Sequence, residues 1–238
     1  GTGPAAKVLF ATHLLSASVM AVPGSIVLAK MLCPQTEEAT DHVAISGKEK
    51  ENSNILDAIS SGTVTGVKLM TNIAAMLLVF ISLVALANYI TEGVIGRYTG
   101  LNDWIVKITD GKAQGLTFQF ILGVITSPFM WLIGVPSQDI MLVGSLLGQK
   151  TILNEFVAYF QLQQWKDAGL FMYEKSILMS TYILCGFANI SSIGILLGGL
   201  GVLAPEKRGL ISRIGLPAMI GGALVSVLSA TIIGMILG

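Results

Sequence analysis

The chain alternates long apolar runs with short polar connections. A helix needs about 20 apolar residues to cross roughly 30 Å of hydrocarbon. Five runs meet that length: residues 8–30, 72–90, 116–135, 176–203 and 214–237. A sixth, 140–162, is apolar at both ends but carries Gly148, Gln149, Lys150, Asn154 and Glu155 in its middle. Each half is about ten residues, too short to cross. The pattern therefore predicts a helical hairpin that enters the membrane and returns on the same side. Irregular backbone is tolerated at that depth where protein or a cavity covers it.

Two of the runs are interrupted. Pro23 removes a helix hydrogen bond and Gly24 weakens the helix beside it. In 176–203 the interruption is Gly186 with Asn189, Ser191 and Ser192. Paired interrupted helices point to a midplane binding site in a transporter built from repeats; alternatively, Pro and Gly are simply common in membrane helices. The fold class expected is an all-α integral membrane protein with five transmembrane helices and one re-entrant hairpin, two of the helices broken. Segment by segment, residues 1–34 are the first broken helix. Residues 35–71 are a polar loop and an interfacial helix, and 72–135 are two spans joined by a basic loop. Residues 136–165 are the hairpin, 166–205 the second broken helix and 206–238 the last span.

Charge orients this arrangement. Lys/Arg excess marks cytoplasmic loops, and Arg97, Lys107, Lys112 and Lys207, Arg208, Arg213 form two such loops. Both lie in the cytoplasm if the hairpin does not cross, with 116–135 running outward and the hairpin mouth outside. Composition agrees with a membrane chain: 12% of residues are charged, against about a quarter in soluble domains, and the mean hydropathy is +0.76. The formal net charge is zero, which gives no electrostatic ground for a nucleic-acid partner. Cys33 and Cys185 suit neither a disulfide framework nor a metal site. Tyr89, Trp131, Tyr159 and Trp165 lie near run ends, as an aromatic belt requires. Residues 144–151 look like a phosphate-binding loop, but only three residues separate the glycines and Gln149 precedes Lys150, so the spacing fails. His13 reads as interfacial and His42 as solvated, and no Ser/His/Asp or metal-ligand spacing is present. No enzymatic chemistry is expected.

The polar groups inside the apolar runs carry the remaining chemistry, because such groups are costly in lipid and face a partner or a substrate path. An ionised Glu155 offers only acceptors and suits the hydroxyls of a sugar; the other reading is a local ion pair with Lys150. Asn154 is placed to cap the second hairpin helix, and Asp139 to cap the first. Asn189 offers two donors and an acceptor, and Ser191 and Ser192 add hydroxyls. Phe187 either stacks on a ring or packs in the core. Ser18 and Val19 precede the Pro23 break, where a hydroxyl and freed carbonyls coordinate a small cation; the alternative is a small residue packing between helices.

The stretches Gly148-Gln149-Lys150-Thr151-Ile152-Leu153-Asn154-Glu155-Phe156-Val157-Ala158-Tyr159 and Leu184-Cys185-Gly186-Phe187-Ala188-Asn189-Ile190-Ser191-Ser192 resemble the concentrative nucleoside transporter family. Ser16-Ala17-Ser18-Val19-Met20 with Pro23, and Asn54-Ile55-Leu56-Asp57-Ala58, are similar to it too. The resemblance runs in order over nearly the whole chain. It implies a cation-coupled nucleoside symporter of the inner or plasma membrane, working by elevator-type alternating access. Its subunit is usually one of three in a homotrimer, with residues 1–34 in the mobile transport domain and the second of the 72–135 spans scaffold-like. The ribose binds Glu155, with Phe187, Asn189 and Ser192 from the broken helix; sodium binds near Ser18 and Val19. No cofactor is implied beyond the coupling ion, sodium or a proton. The family also has an upstream half whose own hairpin reads the base, and no such segment occurs in these 238 residues. The chain is therefore expected to be a C-terminal part that does not transport alone. Two other readings are a non-transporting fragment acting as an assembly partner and an importer of another small polar solute such as nucleobases.

Overall fold

The computed structural model describes residues 4–34, 54–203 and 205–238. The expected polar loop 35–53, with His42, and Ala204 lie outside the described residues. All regular structure among the described residues is helical. In order it is α1 (Pro4–Leu32), α2 (Ile55–Asn88), a π-helical segment (Tyr89–Gly96), α3 (Arg97–Thr99), α4 (Leu101–Ile108) and α5 (Phe118–Leu132). Then come α6 (Ile140–Ile152), α7 (Glu155–Asp167), α8 (Glu174–Leu184), α9 (Ile190–Leu203), a 3₁₀ turn (Pro205–Lys207) and α10 (Arg208–Ile236). Of the described residues, 54–85 belong to one unit and the remainder to a second.

The expected interfacial helix and the following span are a single helix of 34 residues. Between Val67 and Asn88 there is no Gly or Pro, so nothing in the sequence stops the helix where the interfacial segment was to end. Every described side chain from Asn54 to Leu83 is exposed.

In the second unit, α1 corrects another expectation. It is not broken at Pro23 but runs through it for 29 residues. A proline deletes one backbone bond, here the one to Val19 O, and a membrane helix tolerates that loss. The second interrupted run does break, into α8 and α9. Among the described residues, Val8–Leu32 and Arg208–Ile236 are long and apolar enough to cross a membrane. The expected span 116–135 contains only the 15-residue α5, about 22 Å long at 1.5 Å per residue.

The hairpin is bracketed by two helix stops of the same kind. At the end of α5, Gly134 (φ 82°) donates to Trp131 O and Val135 N–H donates to Met130 O, both at 3.1 Å. At the end of α7, Gly169 (φ 66°) donates to Lys166 O and Leu170 N–H to Trp165 O, both at 3.0 Å. These are Schellman stops, and the left-handed residue they require is cheapest as glycine. The first turns the chain back into α6. Lys112 then reaches the hairpin mouth, donating to Gln138 O at 2.6 Å and pairing with Asp139 at 3.5 Å. The end of the basic loop and the mouth of the hairpin are thus adjacent. The expectation that they lie on opposite membrane faces is overturned by this contact.

The buried centre is α6 and α8. Every residue from Leu142 to Lys150 is buried, as is every residue from Met179 to Leu184. α1, α7 and α10 pack around them through Ala17, Ala158, Leu162 and Ala230. The close approach of α5 to α6 depends on small residues, as is usual where lipid gives helices no hydrophobic reason to associate. A Cβ on Gly148 would lie 2.6 Å from Leu122 Cβ. Gly148→Val should therefore cost about 1–3 kcal/mol through overpacking, read as a lower melting midpoint of the detergent-solubilised protein; an unchanged midpoint would contradict this packing.

Candidate functional site

The polar residues singled out in the sequence collect where two chain breaks meet. One is the Leu153–Asn154 tip between α6 and α7; the other is the Cys185–Asn189 segment between α8 and α9. Each break leaves helix ends whose N–H and C=O groups have no intrahelical partner. Side chains supply those partners.

Asparagines serve the two new N-termini. Asn154 Oδ1 accepts from Val157 N–H at 3.0 Å, capping α7 as expected. Asn189 Oδ1 accepts from Ser192 N–H at 2.8 Å and from Ser191 Oγ at 2.6 Å at the start of α9. Ser192 Oγ donates to Asn189 O at 2.6 Å. The Asn189 amide then crosses to the hairpin, where Nδ2 donates to Glu155 Oε2 at 2.8 Å. Glu155 is itself the first residue of α7. A carboxylate there is favoured by the positive end of the helix dipole, and Asn189 ties it to the N-terminus of α9 as well. Among the described residues Glu155 Oε1 has no hydrogen bond.

The carbonyl end of α8 is served by the hairpin. Lys150 Nζ donates to Ile183 O at 2.7 Å and to Ser226 Oγ of α10 at 3.0 Å. Tyr159 OH donates to Thr181 O at 2.9 Å. The local Lys150–Glu155 ion pair is therefore not formed. Tyr159 and Trp165 also leave the expected aromatic belt, since both pack against the buried core, whereas Tyr89 and Trp131 stay exposed. Asp139 does not cap α6. Its oxygens accept from Met172 N–H at 3.0 Å and Tyr173 N–H at 3.1 Å, which staples the hairpin mouth to the chain entering α8.

The expected substrate residues are placed differently from one another. Glu155 is half-buried and Phe187 is 50% exposed. Asn189 is 0% exposed and Ser192 is buried, with their polar atoms bonded inside the break. A cavity of about 320 Å³ adjoins the break, lined by Phe187, Gly186, Ser192, Val22, Ser25 and Ser226. That volume lies in the range of small-molecule sites. Glu155 is not among its walls. A larger cavity of about 790 Å³ lies at the hairpin mouth, lined by Asn88, Glu92, Gln138, Gln161, Gln164 and Trp165. It contains none of the expected substrate residues.

Ser18 and Val19 lie on α1, both exposed. Ser18 Oγ donates to Leu14 O at 2.9 Å and lies 3.7 Å from Cys185 Sγ in the second break. Earlier on α1, half-buried His13 Nδ1 contacts the hydroxyl of buried Tyr182 at 3.1 Å. Among the described residues no group of three His, Cys, Asp or Glu side chains is arranged to hold a metal ion.

Residues 13–234 match the family described as "Na+ dependent nucleoside transporter C-terminus". The chain belongs to this nucleoside transporter family. Its residues are the family's C-terminal domain, and it is an integral membrane protein. It is 39% identical over 230 residues to an uncharacterized transporter of Haemophilus influenzae, covering 95% of this chain and 52% of the relative. It is 38% identical over 240 residues to sodium/nucleoside cotransporter 1 of Rattus norvegicus, covering 95% and 35%. The structure of CNTnw in an inward-facing substrate-bound state superposes with a TM-score of 0.76 at 36% identity, covering 94% of this chain and 49% of that one. The chain thus spans about half the length of the bacterial relative and about a third of the rat one. These relatives are transporters rather than enzymes.

Sequence reasoning missed Lys150, Tyr159 and Ser226 as partners of the α8 end. The signal was a lysine and a serine in apolar helices; what was lacking was which carbonyl they face. The two asparagine caps separate by chemistry. Asp caps as well as Asn, so Asn154→Asp should leave stability within about 0.5 kcal/mol. Asn189→Asp keeps the cap but sets a carboxylate against Glu155, and should cost about 1–3 kcal/mol. Thermal unfolding of both variants checks this; equal midpoints would contradict the Asn189–Glu155 bond.

Proposed function

We propose that this chain supplies the ribose-binding part of a sodium-coupled nucleoside symporter. The observation that carries the reading is the Glu155–Asn189 hydrogen bond between the two breaks. It leaves one carboxylate oxygen free of protein hydrogen bonds at the start of a helix, an acceptor suited to a sugar hydroxyl. Glu155 accepts from the ribose, and exposed Phe187 stacks on the ring system. Asn189 and Ser192 join when the Asn189–Glu155 bond is exchanged for a bond to the second hydroxyl. The neighbouring cavity beside Phe187 and Ser192 is large enough to receive part of the ligand.

Sodium is the coupling ion in this reading, as the family description supports. Val19 O is relieved of its helix bond because Pro23 has no N–H, and Ser18 Oγ keeps lone pairs after donating to Leu14 O. Ser18 Oγ lies near the second break, 3.7 Å from Cys185 Sγ. Nucleoside and ion fill adjoining sites, so each raises affinity for the other. The inward sodium gradient then drives uptake as the hairpin and broken helix move as one body across a scaffold, three subunits to an assembly. Replacing sodium by choline at constant pH separates sodium coupling from proton coupling.

Glu155→Gln in the full-length protein should lower uptake of ribonucleosides at least about tenfold, the loss expected for a hydrogen bond to a charged group. Uptake of a 2′,3′-dideoxy analogue should change far less. Ribonucleoside uptake that survives the substitution unchanged would sink the assignment.

A further inference from the structure

We propose that Lys150 is a tethered cation, its ammonium permanently filling the position at a broken helix where a transporter otherwise binds an ion from solution. The inference rests on the transporter reading only for its consequence in uptake.

The carbonyl end of a half-helix carries the negative end of the dipole, and its last C=O groups lack helix partners. In transporters with broken helices such ends coordinate sodium. α8 ends inside the protein at Leu184, and Ile183 O is one of its orphan carbonyls. The occupant here is Lys150 Nζ, 2.7 Å from Ile183 O and 3.0 Å from Ser226 Oγ. Lys150 is 0% exposed. No carboxylate lies within 4 Å of its nitrogen among the described residues, so its partners are neutral oxygens, as around a bound alkali ion. The space is shaped for it. A Cβ on Gly186 would collide with Ser226 Oγ and lie 3.3 Å from Nζ. Three elements thus converge on one ammonium: the hairpin helix α6, the second break and α10.

Two consequences follow. The carbonyl end of α8 needs no exchangeable ion, so ion dependence arises at other oxygens. Lys150 is also a positioning residue, because it holds Ile183 six residues before Asn189 and joins the hairpin to the break.

The test uses the full-length protein in detergent and in liposomes. Lys150→Ala opens a cavity of the right size for a small cation, and Lys150→Met fills it without charge. Both should lower the melting midpoint and raise the nucleoside KM about tenfold, the cost of removing a charged hydrogen-bond partner. Methylammonium chloride should raise the midpoint of Lys150→Ala by about 3 °C and lower its KM. It should leave Lys150→Met unchanged, and choline chloride at equal concentration should affect neither. Parent-like behaviour of Lys150→Met, or no difference between the two variants in methylammonium, would overturn the proposal. Should neither variant accumulate in the membrane, Ser226→Ala decides: loss of one ligand oxygen should lower the midpoint and raise KM, and unchanged values overturn it. A parent protein that carries no nucleoside would refute the transporter reading, while the melting comparison still judges Lys150.

Discussion

A helix interrupted inside an apolar medium must find partners for the backbone groups it frees, and that requirement organises this chain. No water is available to take those bonds, and each unsatisfied group costs several kcal/mol. The break between α8 and α9 meets it asymmetrically. Its amide end is served by its own residue, Asn189. Its carbonyl end is served by the hairpin, through Lys150 and Tyr159. The hairpin tip meets the same requirement with Asn154. An anion, Glu155, lies with the helix N-termini and a cation, Lys150, with the C-terminus, as the helix dipoles favour.

The proposed function follows from the same economy. The groups that satisfy the breaks are also those a polar ligand would use, so a ligand enters by exchange rather than by filling an empty slot. Buried Asn189 and Ser192 are already bonded to each other, while Glu155 and Phe187 retain free acceptor capacity and exposed surface. Binding then alters how the hairpin tip is joined to α9, whereas Lys150 keeps the hairpin joined to α8. In the proposed reading, one junction is open to substrate and the other is closed by a side chain.

Much of this was legible in the residues. The apolar runs placed most of the helices, and the polar middle of 140–162 marked the break between α6 and α7. Asn154 was legible as a cap because Asn before an apolar run has one dominant local use. Gly134 and Gly169, whose stops fix the length between α5 and α8, went unread in the sequence. Pro23 misled, since a proline removes one bond and a continuous helix tolerates that in lipid. The extent of α2 and the return of the chain after α5 were missed because charge counts cannot register a short helix. The partners of Lys150 were not legible either: sequence separation from Ser226 is 76 residues, and no local pattern encodes which distant carbonyl a side chain reaches.

The most direct test of the central claim, that the two breaks together form the ribose site, is a density map of the full-length protein with a ribonucleoside bound. The account predicts both ribose hydroxyls within hydrogen-bond reach of Glu155 and Asn189, about 2.6–3.2 Å, with Phe187 against the ring system. A nucleoside found instead in the cavity at the hairpin mouth, beside Gln161, Gln164 and Trp165, with the Asn189–Glu155 bond intact, would contradict it.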